Sequence, residues 1–538
     1  MHRHSVLLAA SLLVAAFVPA AAQSAARAPA DWRRGATCYE IFIRSFYDSD
    51  GNGIGDLNGL TEKLDYINDG NPRTTQDLGV RCIWLMPVAE SPSYHGYDVS
   101  NYYRVEPDYG TNADFRRFVT AAHKRGIRVL VDLVLNHASS EHPYFQAALR
   151  DPASPYRSWF RWSASKPAEK GPWGQEVWHK SPVRDEYYYG VFWSGMPDLN
   201  YETPAVRAEA NKVARFWIDS MKVDGFRLDA VPYLVETGSQ QAHTAGTHKV
   251  LRDFNAYVHA RKRDAFTIGE AWDSTGTILT YYPDQLDAYF AFPASDAIIN
   301  AVNSGSASKL LPEFLRFQGA LPANRWSPFL RNHDQSRTLT VLGGSIARAR
   351  AAATLLFTLP GLPFMYYGEE IGMAGDKPDE QIRTPMQWSR QPNSGFTRGT
   401  PWEPLQPEWA ARNVEVQTSD SASLLDLYRR LIRLRAETPA LAVGELVPLA
   451  TSNEAVAAYL RRNGRRTVLV VANLGKTPLS GVTLSSSAGA LRVGSYTPTS
   501  LLGGASAATL NVGADGRVQD YAPITTLAPM QSYVFELR

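Results

Sequence analysis

The fold is decided by four apolar runs that each end in charged or imidazole side chains: VLVDLVLNH (129–137), VDGFRLDAV (223–231), AFTIGEAW (265–272) and PFLRNHDQ (328–335). Each run is typical of a buried strand that carries polar groups at its carboxyl end. Helix-like segments lie between the runs, so we expect several parallel strands to open into one pocket. A (β/α)8 barrel builds its pocket in this way, from the carboxyl ends of its strands.

Strands and helices alternate along most of the chain, most clearly around the first run. Thr111 and Asn112 are cap candidates for a helix whose apolar residues recur at helical spacing, and Gly126 can end that helix. The same order returns in AVRAEANKVARFWIDSM (205–221), which precedes the second run. Repeated alternation of this kind favours a parallel sheet. The pattern predicts eight strands: 38–46, 82–88, 128–136, 223–230, 265–271, 285–291, 327–333 and 362–367.

The N-terminal 22 residues are typical of a signal peptide. Basic and imidazole side chains precede an apolar stretch from Val6 to Val18, and small residues follow it. Residues 23–31 are rich in Ala, Ser and Pro and predict a flexible tail. No later stretch is long and apolar enough to cross a bilayer, so we expect a protein secreted to the periplasm or the extracellular space.

The rest of the chain divides into a barrel, an insertion and a C-terminal domain. The barrel is predicted over 32–444, and residues 138–198 are predicted to form an inserted subdomain after the third strand, because they are rich in Pro, Gly and Trp. A helix over 424–441 closes the barrel region. Residues 445–538 alternate short apolar runs with turn residues, which predicts an all-β sandwich.

Composition and charge narrow the class of protein. The 538 residues include 55 basic and 53 acidic side chains without a long basic run, so we expect no nucleic-acid partner. The 13 Trp and 26 Tyr suit stacking on sugars, but barrel cores use aromatic residues as well. Two cysteines, Cys38 and Cys82, are too few for a disulfide scaffold or a Cys-based zinc site. They can form a bridge or remain buried thiols.

Asp229 and Glu270 are the strongest candidates for a catalytic pair, since each follows an apolar run. Two carboxylates that flank one bond can cleave a glycosidic linkage, one as the nucleophile and the other as the acid and then the base. Arg227 shares a strand face with Asp229 and can keep that carboxylate ionised. Asp334 would add a third acid, and salt bridges at strand ends are the alternative interpretation. Two histidines would supply donors for sugar hydroxyls: His137 and His333.

The segment DSDGNGIGDLNG (48–59) predicts a metal site. Its oxygen-bearing residues alternate with glycines, and hard oxygen ligands on a tight loop suit Ca²⁺. The alternative is a turn held by bonds from side chains to the backbone. The candidate ligands are Asp48, Asp50, Asn52, the backbone carbonyl of Ile54, and Asp56.

The four runs resemble the four signature regions of glycoside hydrolase family 13, the α-amylase family, and MPDLN (196–200) is similar to its fifth region. The resemblance covers about 32–538. It implies a (β/α)8 barrel, a small insertion after the third strand, a C-terminal β-sandwich, Asp229 as the nucleophile and Glu270 as the acid/base. It also implies that Asp334 stabilises the oxocarbenium-like transition state. Sugar binding beside the cleaved bond would fall to Tyr97, which stacks, and to His137, Arg227 and His333.

Subfamily features bear on the substrate. DSDGNGIGD and RTPMQW (383–388) are similar to the oligo-1,6-glucosidase branch, whereas SPSYHGYD (91–98) and MPDLN resemble secreted α-amylases intermediate between that branch and the neopullulanases. Exo-acting members of the branch usually place an Asp three residues before the stacking Tyr, and this chain has Tyr94 there. Ala230, after the nucleophile, resembles α-1,4-acting members. Both features imply endo-type cleavage of an α-1,4-glucan.

One departure concerns a second calcium. Many α-amylases hold a calcium with an Asn like Asn136, an Asp like Asp198, and a His four residues after the nucleophile, where this chain has Tyr233. Two of the three ligand positions of this second calcium site therefore match, and the third does not, so the resemblance does not establish the site. The predicted site in 48–56 is unaffected.

We therefore expect a monomeric, secreted, retaining α-amylase that acts on α-glucan oligo- or polysaccharides. An exo-acting α-glucosidase or a transglycosylating relative is the main alternative. A catalytically inactive barrel that only binds glycans is a remote one, because Asp229, Glu270 and Asp334 are all present.

Overall fold

The structure, a computed structural model, describes residues 31–538. The predicted signal peptide and all but the last residue of the predicted tail lie outside the described residues. Eight parallel strands, β1 to β8 in chain order, form the central sheet: Cys38–Ile41, Cys82–Leu85, Arg128–Leu133, Gly225–Leu228, Phe266–Gly269, Ala288–Phe290, Trp326–Ser327 and Phe364–Tyr366. Consecutive strands from β1 to β7 pair with one another, and β1 also pairs with β8.

Backbone hydrogen bonds between the β7 and β8 segments close the sheet into a barrel. Leu362 N donates to Trp326 O at 2.9 Å, and Phe364 N donates to Pro328 O at 3.0 Å. The predicted (β/α)8 barrel is confirmed. The observed strands are shorter than predicted: after β1 the chain turns into a 3-10 segment at Ile43–Ser45, and β7 ends at Ser327 instead of reaching 333. Pro328 follows directly, and a proline cannot donate to the strand ladder.

The helices cover the barrel from outside and follow the predicted apolar periodicity. The helix Asn112–Lys124 begins at a capping box between Thr111 and Asp114, and its predicted apolar face is buried. The helix predicted over 424–441 is two helices, because Pro439 starts a new helix after the break at Thr438. The α-helices are Leu57–Glu62, Leu64–Ile67, Asn112–Lys124, Pro143–Arg150, Pro204–Arg215, Ala245–Arg261, Thr275–Leu279, Phe292–Ser304, Leu310–Ala320, Thr338–Val341, Ile346–Thr358, Asp379–Ile382, Val414–Thr418, Leu424–Glu437 and Pro439–Val443.

Between β3 and β4 the chain forms a small antiparallel sheet of three strands: Trp162–Ser163, Trp178–Lys180 and Tyr187–Tyr189. This is the region of the predicted insertion. Backbone pairing between His137 and Asp198 joins its two ends. Because those ends lie just beyond β3, the insertion rises from the face of the barrel at which the strands end.

The C-terminal region is antiparallel, as predicted. Its main sheet has five strands in the spatial order Glu445–Pro448, Val456–Asn463, Arg466–Asn473, Ser532–Leu537 and Pro498–Leu502. Shorter strand pairs cover one face of this sheet around a separate apolar core. The predicted fold class is thus confirmed, while the residue boundaries of the domains remain predictions.

A disulfide joins Cys38 to Cys82, which are register partners on β1 and β2. Among residues 31–538, none of the helices combines the length and the apolar content that a membrane crossing requires.

Candidate active site

An open cleft of about 400 Å³ lies where the barrel strands end. Five of the residues predicted for the site line this cleft: Tyr97, His137, Asp229, Glu270 and Asp334. Two further predicted residues, Arg227 and His333, lie beneath its floor with at most 1% of their surface exposed. The structure therefore brings all seven predicted catalytic and sugar-binding residues together, from elements spread over more than two hundred residues of sequence.

Arg227 is the cation at the centre of the site. Its Nη1 donates to Asp229 Oδ1 at 2.8 Å, and its Nη2 donates to Glu270 Oε2 at 2.5 Å. The two candidate catalytic carboxylates thus face the same guanidinium, one at each nitrogen. Asp229 directly follows β4 and Glu270 directly follows β5, and these strands are neighbours in the barrel. This adjacency places both carboxylates at the same rim of the sheet.

Asp132, on β3, is a third carboxylate on Arg227 that the sequence analysis missed. Both of its oxygens accept from Arg227 Nη1 at 2.8 Å, and Asp132 Oδ2 also accepts from the Tyr97 hydroxyl at 2.9 Å. Asp132 occupies the register position opposite Arg227 in the β3–β4 pair. Asp132 lies inside the run VLVDLVLNH (129–137). This position indicates a buried partner, because an acid within an otherwise apolar strand needs one.

His333 connects the cleft to a second missed acid, Glu40 on β1. His333 Nδ1 lies 2.5 Å from Glu40 Oε1, and its Nε2 lies 3.0 Å from Asp334 Oδ2. Although burial opposes it, the charges of Asp334 and Glu40 raise the pKa of His333 to about 10. A protonated His333 therefore donates from both ring nitrogens and holds Asp334 and Tyr97 at the cleft floor.

Asp334 has another cationic partner, Arg383, which the sequence analysis did not assign to the site. Arg383 Nη2 donates to Asp334 Oδ1 at 3.0 Å and to Asp379 Oδ2 at 2.9 Å. Burial acts against the charged form, but His333 and Arg383 hold the pKa of Asp334 well below its usual range. Asp334 is therefore a carboxylate throughout the working pH range.

The other two carboxyl groups are shifted in the opposite direction. Burial raises the pKa of Asp229 to about 6, against the opposing charge of Arg227. Burial also raises the pKa of Glu270 to about 7, and the charges of Asp229 and Asp334 add to this rise. The two groups interact, so their titration belongs to the pair. A carboxyl group with a pKa near 7 is suited to give up a proton at neutral pH.

Ala230, directly after Asp229, has a left-handed backbone conformation with φ of 47°. Such a conformation is costly for a residue with a side chain, and it aims the Ala230 N–H at Glu270 Oε2, 3.2 Å away. The turn thus fixes the two candidate catalytic groups relative to each other.

His137 differs from His333 and Arg383 in its charge. Burial lowers the pKa of His137 to about 4, so its ring is neutral. Its Nε2 is 3.0 Å from the carbonyl oxygen of Tyr97. Its Nδ1 lies 3.4 Å from Asn136 Nδ2, so both ring nitrogens have partners and the neutral ring lines the cleft without adding charge to it.

Comparison with known proteins agrees with this geometry. The family model of the α-amylase catalytic domain matches residues 40–444. The chain is 39% identical over 452 residues to "Alpha-amylase 3" of Dictyoglomus thermophilum, covering 83% of this chain and 86% of that protein. It is 35% identical over 517 residues to the "Trehalose synthase/amylase TreS" of Mycobacterium tuberculosis, covering 85% and 84%. The crystal structure of the α-amylase from H. orenii superposes with a TM-score of 0.81 at 38% identity, covering 94% of this chain and all of that one.

The chain belongs to the α-amylase family. It is therefore a glycoside hydrolase, which agrees with the paired carboxylates in the cleft. The resemblance expected from the sequence is confirmed, and the remote alternative of a binding-only barrel is not needed to explain any residue of the site.

The loop predicted to bind calcium brings three carboxylates together. Asp48, Asp50 and Asp56 each offer an oxygen within 4.8 Å of the others. Asp48 also accepts from the N–H groups of Gly51 and Gly53 at 2.7 and 2.8 Å, so the alternative interpretation, a turn held by the backbone, describes the same loop. The exposed Asn52 side chain instead accepts from Ile54 N at 2.8 Å.

A second group of oxygens lies between the barrel and the insertion. Within the described residues, Asn136 Oδ1 and Asp198 Oδ2 are buried without a hydrogen-bond partner. Burial raises the pKa of Asp198 well above its usual value, and the charge of nearby Glu236 raises it further. The ring of Tyr233 instead contacts Phe192 and Trp173. Glu236, three residues beyond Tyr233, pairs with Arg161 Nε at 3.2 Å.

Proposed function

We propose that this protein is a secreted, retaining α-amylase that cleaves internal α-1,4 bonds of starch and maltodextrins. The observation that carries the proposal is the pair of carboxyl groups on one buried guanidinium, with Asp229 and Glu270 shifted to pKa values of about 6 and 7. Family membership supports the reaction class, and the open cleft supports a long substrate.

In the first step, Asp229 attacks the anomeric carbon while Glu270 gives its proton to the departing oxygen. A covalent glycosyl-enzyme forms and the leaving chain departs. In the second step Glu270, now ionised, takes a proton from water, and that water displaces Asp229. Two inversions at one carbon return the original configuration, and Glu270 regains its proton.

Asp334 contributes electrostatics in both steps. Positive charge develops on the sugar ring in the transition state, and a fixed anion nearby stabilises it. His333 and Arg383 keep Asp334 ionised and oriented. Tyr97, stacked on His333 at 5.5 Å, presents its ring and hydroxyl at the floor where the reacting sugar would sit.

Internal cleavage requires a cleft that continues past the reacting sugar on both sides. Tyr94, at the position where exo-acting relatives carry an Asp, stacks on Trp402 at 5.3 Å. Tyr94 is not among the residues that line the cleft, and Asp379 and Arg383 line that end instead. This arrangement supports the endo-acting interpretation.

A transglycosylating enzyme is the second candidate, because one relative carries the name trehalose synthase/amylase. Such an enzyme would use the same glycosyl-enzyme and pass it to a sugar hydroxyl in place of water. The same residues would act in hydrolysis and in transglycosylation, so only the reaction products distinguish the two activities.

The acidic loop fits a calcium ion by its donor set, which consists of oxygens clustered on a tight turn. Asp48, Asp50 and Asp56 would hold the ion, and the cation would stabilise the loop. Gly53 explains why the loop needs glycine: its φ is 93°, and a Cβ would lie 1.9 Å from Thr400 O. Asn136 Oδ1 and Asp198 Oδ2, two buried oxygens without partners among residues 31–538, would also suit a hard cation, whereas Glu236 Oε2 pairs with Arg161 Nε at 3.2 Å.

Export is supported by the bond between Cys38 and Cys82, because disulfides persist in oxidising compartments. N-terminal sequencing of the protein from culture medium or periplasm would test both export and removal of residues 1–22.

A product profile tests the proposed activity. Maltoheptaose blocked at its non-reducing end and, separately, maltose are given to the purified protein. Internal cleavage of the blocked chain with little action on maltose is expected. Inertness on the blocked chain with glucose release from maltose would identify an exo-acting α-glucosidase, and conversion of maltose to another disaccharide would identify a transglycosylating enzyme.

A further inference from the structure

Three tryptophans in the described part of the chain are more than half exposed, and all three line the active-site cleft. Trp173 is 60% exposed, Trp193 52% and Trp272 54%. An aromatic ring that stays exposed to water forgoes the stabilisation that burial of its apolar surface would give. Clustered exposure of large apolar side chains marks a binding surface. Trp173, on the insertion, is the most exposed of the three.

The turn that carries Trp173 is held by specific hydrogen bonds. Gln175 Oε1 accepts from Trp173 N at 2.9 Å, and Gln175 Nε2 donates to Val191 O at 2.7 Å. Gly171 N donates to Gln175 O at 2.9 Å and closes the turn. The backbone is thus fixed to the body of the insertion, while the indole ring is left to face the cleft. A ring presented by a fixed turn is pre-organised for stacking.

A continuous series of rings connects Trp173 to the reacting centre. The rings of His137 and Phe192 lie 5.2 Å apart, and those of Phe192 and Trp173 lie 5.7 Å apart with planes 29° from parallel. The ring of Tyr233 lies 5.6 Å from that of Trp173 and 6.0 Å from that of Phe192. Trp173 therefore lies one ring beyond the side chains that border the cleavage point.

Two groups of side chains in the cleft differ in chemistry, which sets the direction of the chain. Arg383 joins Asp334 and Asp379 in a charged group, and Trp173 joins its aromatic neighbours in an apolar group, and both groups line the cleft. Glu270 belongs with the apolar group, since Ala230 N donates to its Oε2 at 3.2 Å and the turn that follows, Val231–Tyr233, carries the Tyr233 ring that contacts Trp173. The general acid protonates the oxygen of the leaving chain, so the leaving chain must extend over the apolar group.

We propose that Trp173 is a stacking platform for a glucose unit of the leaving chain, beyond the unit that carries the departing oxygen. This inference rests on the proposed function and adds the substrate length that the cleft selects. Trp173 gives preference to α-glucans whose leaving part is longer than one glucose. The apolar face of a glucose ring would lie on the exposed indole. This contact would stabilise the bound chain about as much as a pair of stacked aromatic rings does.

The test compares two substrates in the Trp173→Ala variant. Blocked maltoheptaose places glucose units over Trp173, whereas α-maltotriosyl fluoride has a fluoride leaving group that cannot reach it. The variant should lose about three- to tenfold in kcat/KM on blocked maltoheptaose, by loss of one stacking contact. Its kcat/KM on the fluoride should not change. Trp173→Phe should retain most of the wild-type preference.

Val183→Ala is the matched control, because Val183 is an exposed apolar residue of the same insertion that does not line the cleft. An equal loss on both substrates, or no loss on either, would overturn the role of Trp173. If the wild-type protein itself fails to cleave blocked maltoheptaose but hydrolyses maltose, the proposed endo-acting function fails instead. The fluoride reaction reports in every case whether the catalytic groups are folded and active.

Discussion

Replacement of Glu270 by Gln tests the central assignment of the site. Gln has nearly the same shape, and its amide oxygen can still accept from Arg227 Nη2 and Ala230 N, which lie 2.5 and 3.2 Å from Glu270 Oε2. Arg227 also keeps Asp132 and Asp229 as counter-charges. The buried guanidinium therefore remains paired, and the variant should fold normally.

The expected loss follows from the removed proton. General acid catalysis typically contributes about 10²- to 10⁴-fold, so kcat/KM on blocked maltoheptaose should fall by that factor. This corresponds to about 3–5 kcal/mol of transition-state stabilisation. On α-maltotriosyl fluoride the loss in kcat/KM should be far smaller, because fluoride departs without protonation. Azide should accelerate turnover of the variant and produce an α-glycosyl azide, since it attacks the glycosyl-enzyme from the face that the leaving chain vacated.

Glu369→Gln is the matched control for this experiment. Glu369 is another buried carboxyl group, it accepts from Thr338 and Tyr428, and it does not line the cleft. Burial raises its pKa to about 8, so the amide resembles its protonated form at neutral pH. Near wild-type turnover of blocked maltoheptaose by Glu270→Gln, or an equal loss on both substrates, would refute the assignment of the general acid.

Three further outcomes are expected. The kcat/KM on blocked maltoheptaose should fall below about pH 6, where Asp229 becomes protonated, and above about pH 7, where Glu270 loses its proton; in Glu270→Gln the upper limb should disappear. Chelation with EDTA should lower the Tm of the wild type more than that of Asp50→Ala, and equal shifts in differential scanning calorimetry would speak against calcium in the 48–56 loop. Arg383→Ala should reduce kcat/KM about 100-fold by leaving Asp334 misplaced, whereas wild-type kinetics would mean that His333 alone is sufficient.

The residues at strand ends were predictable because their positions follow from a simple rule. In a parallel barrel all strands end at the same face, so acids placed directly after apolar runs must converge there. Asp229 and Glu270 obey this rule, and they lie one residue beyond β4 and β5. The rule needs only the order of the residues and their hydrophobic periodicity, and the amino-acid sequence contains both.

Residues inside strands or far along the chain were not predictable in this way. Glu40 lies within β1 and Asp132 within β3, so each looks like an isolated polar residue in an apolar run. Arg383 lies in the segment after the short helix Asp379–Ile382 and reaches Asp334 only through tertiary contact. No local periodicity connects two residues that far apart in sequence. The strands were predicted too long for a related reason: burial continues past the last strand residue, as at Pro328, which directly follows β7.

These distant residues are the ones that give the carboxyl groups different roles. Asp334 has two cations, His333 and Arg383, and its pKa stays low. Burial raises the pKa of Glu270 to about 7, because Arg227, which three carboxylates share, opposes this rise only in part. Another chain could carry the same acids at its strand ends but place these cations differently. It would have the same sequence motif, but a different carboxyl group would serve as the general acid. The motif therefore locates the chemistry, and the buried cations decide which carboxyl group carries the proton.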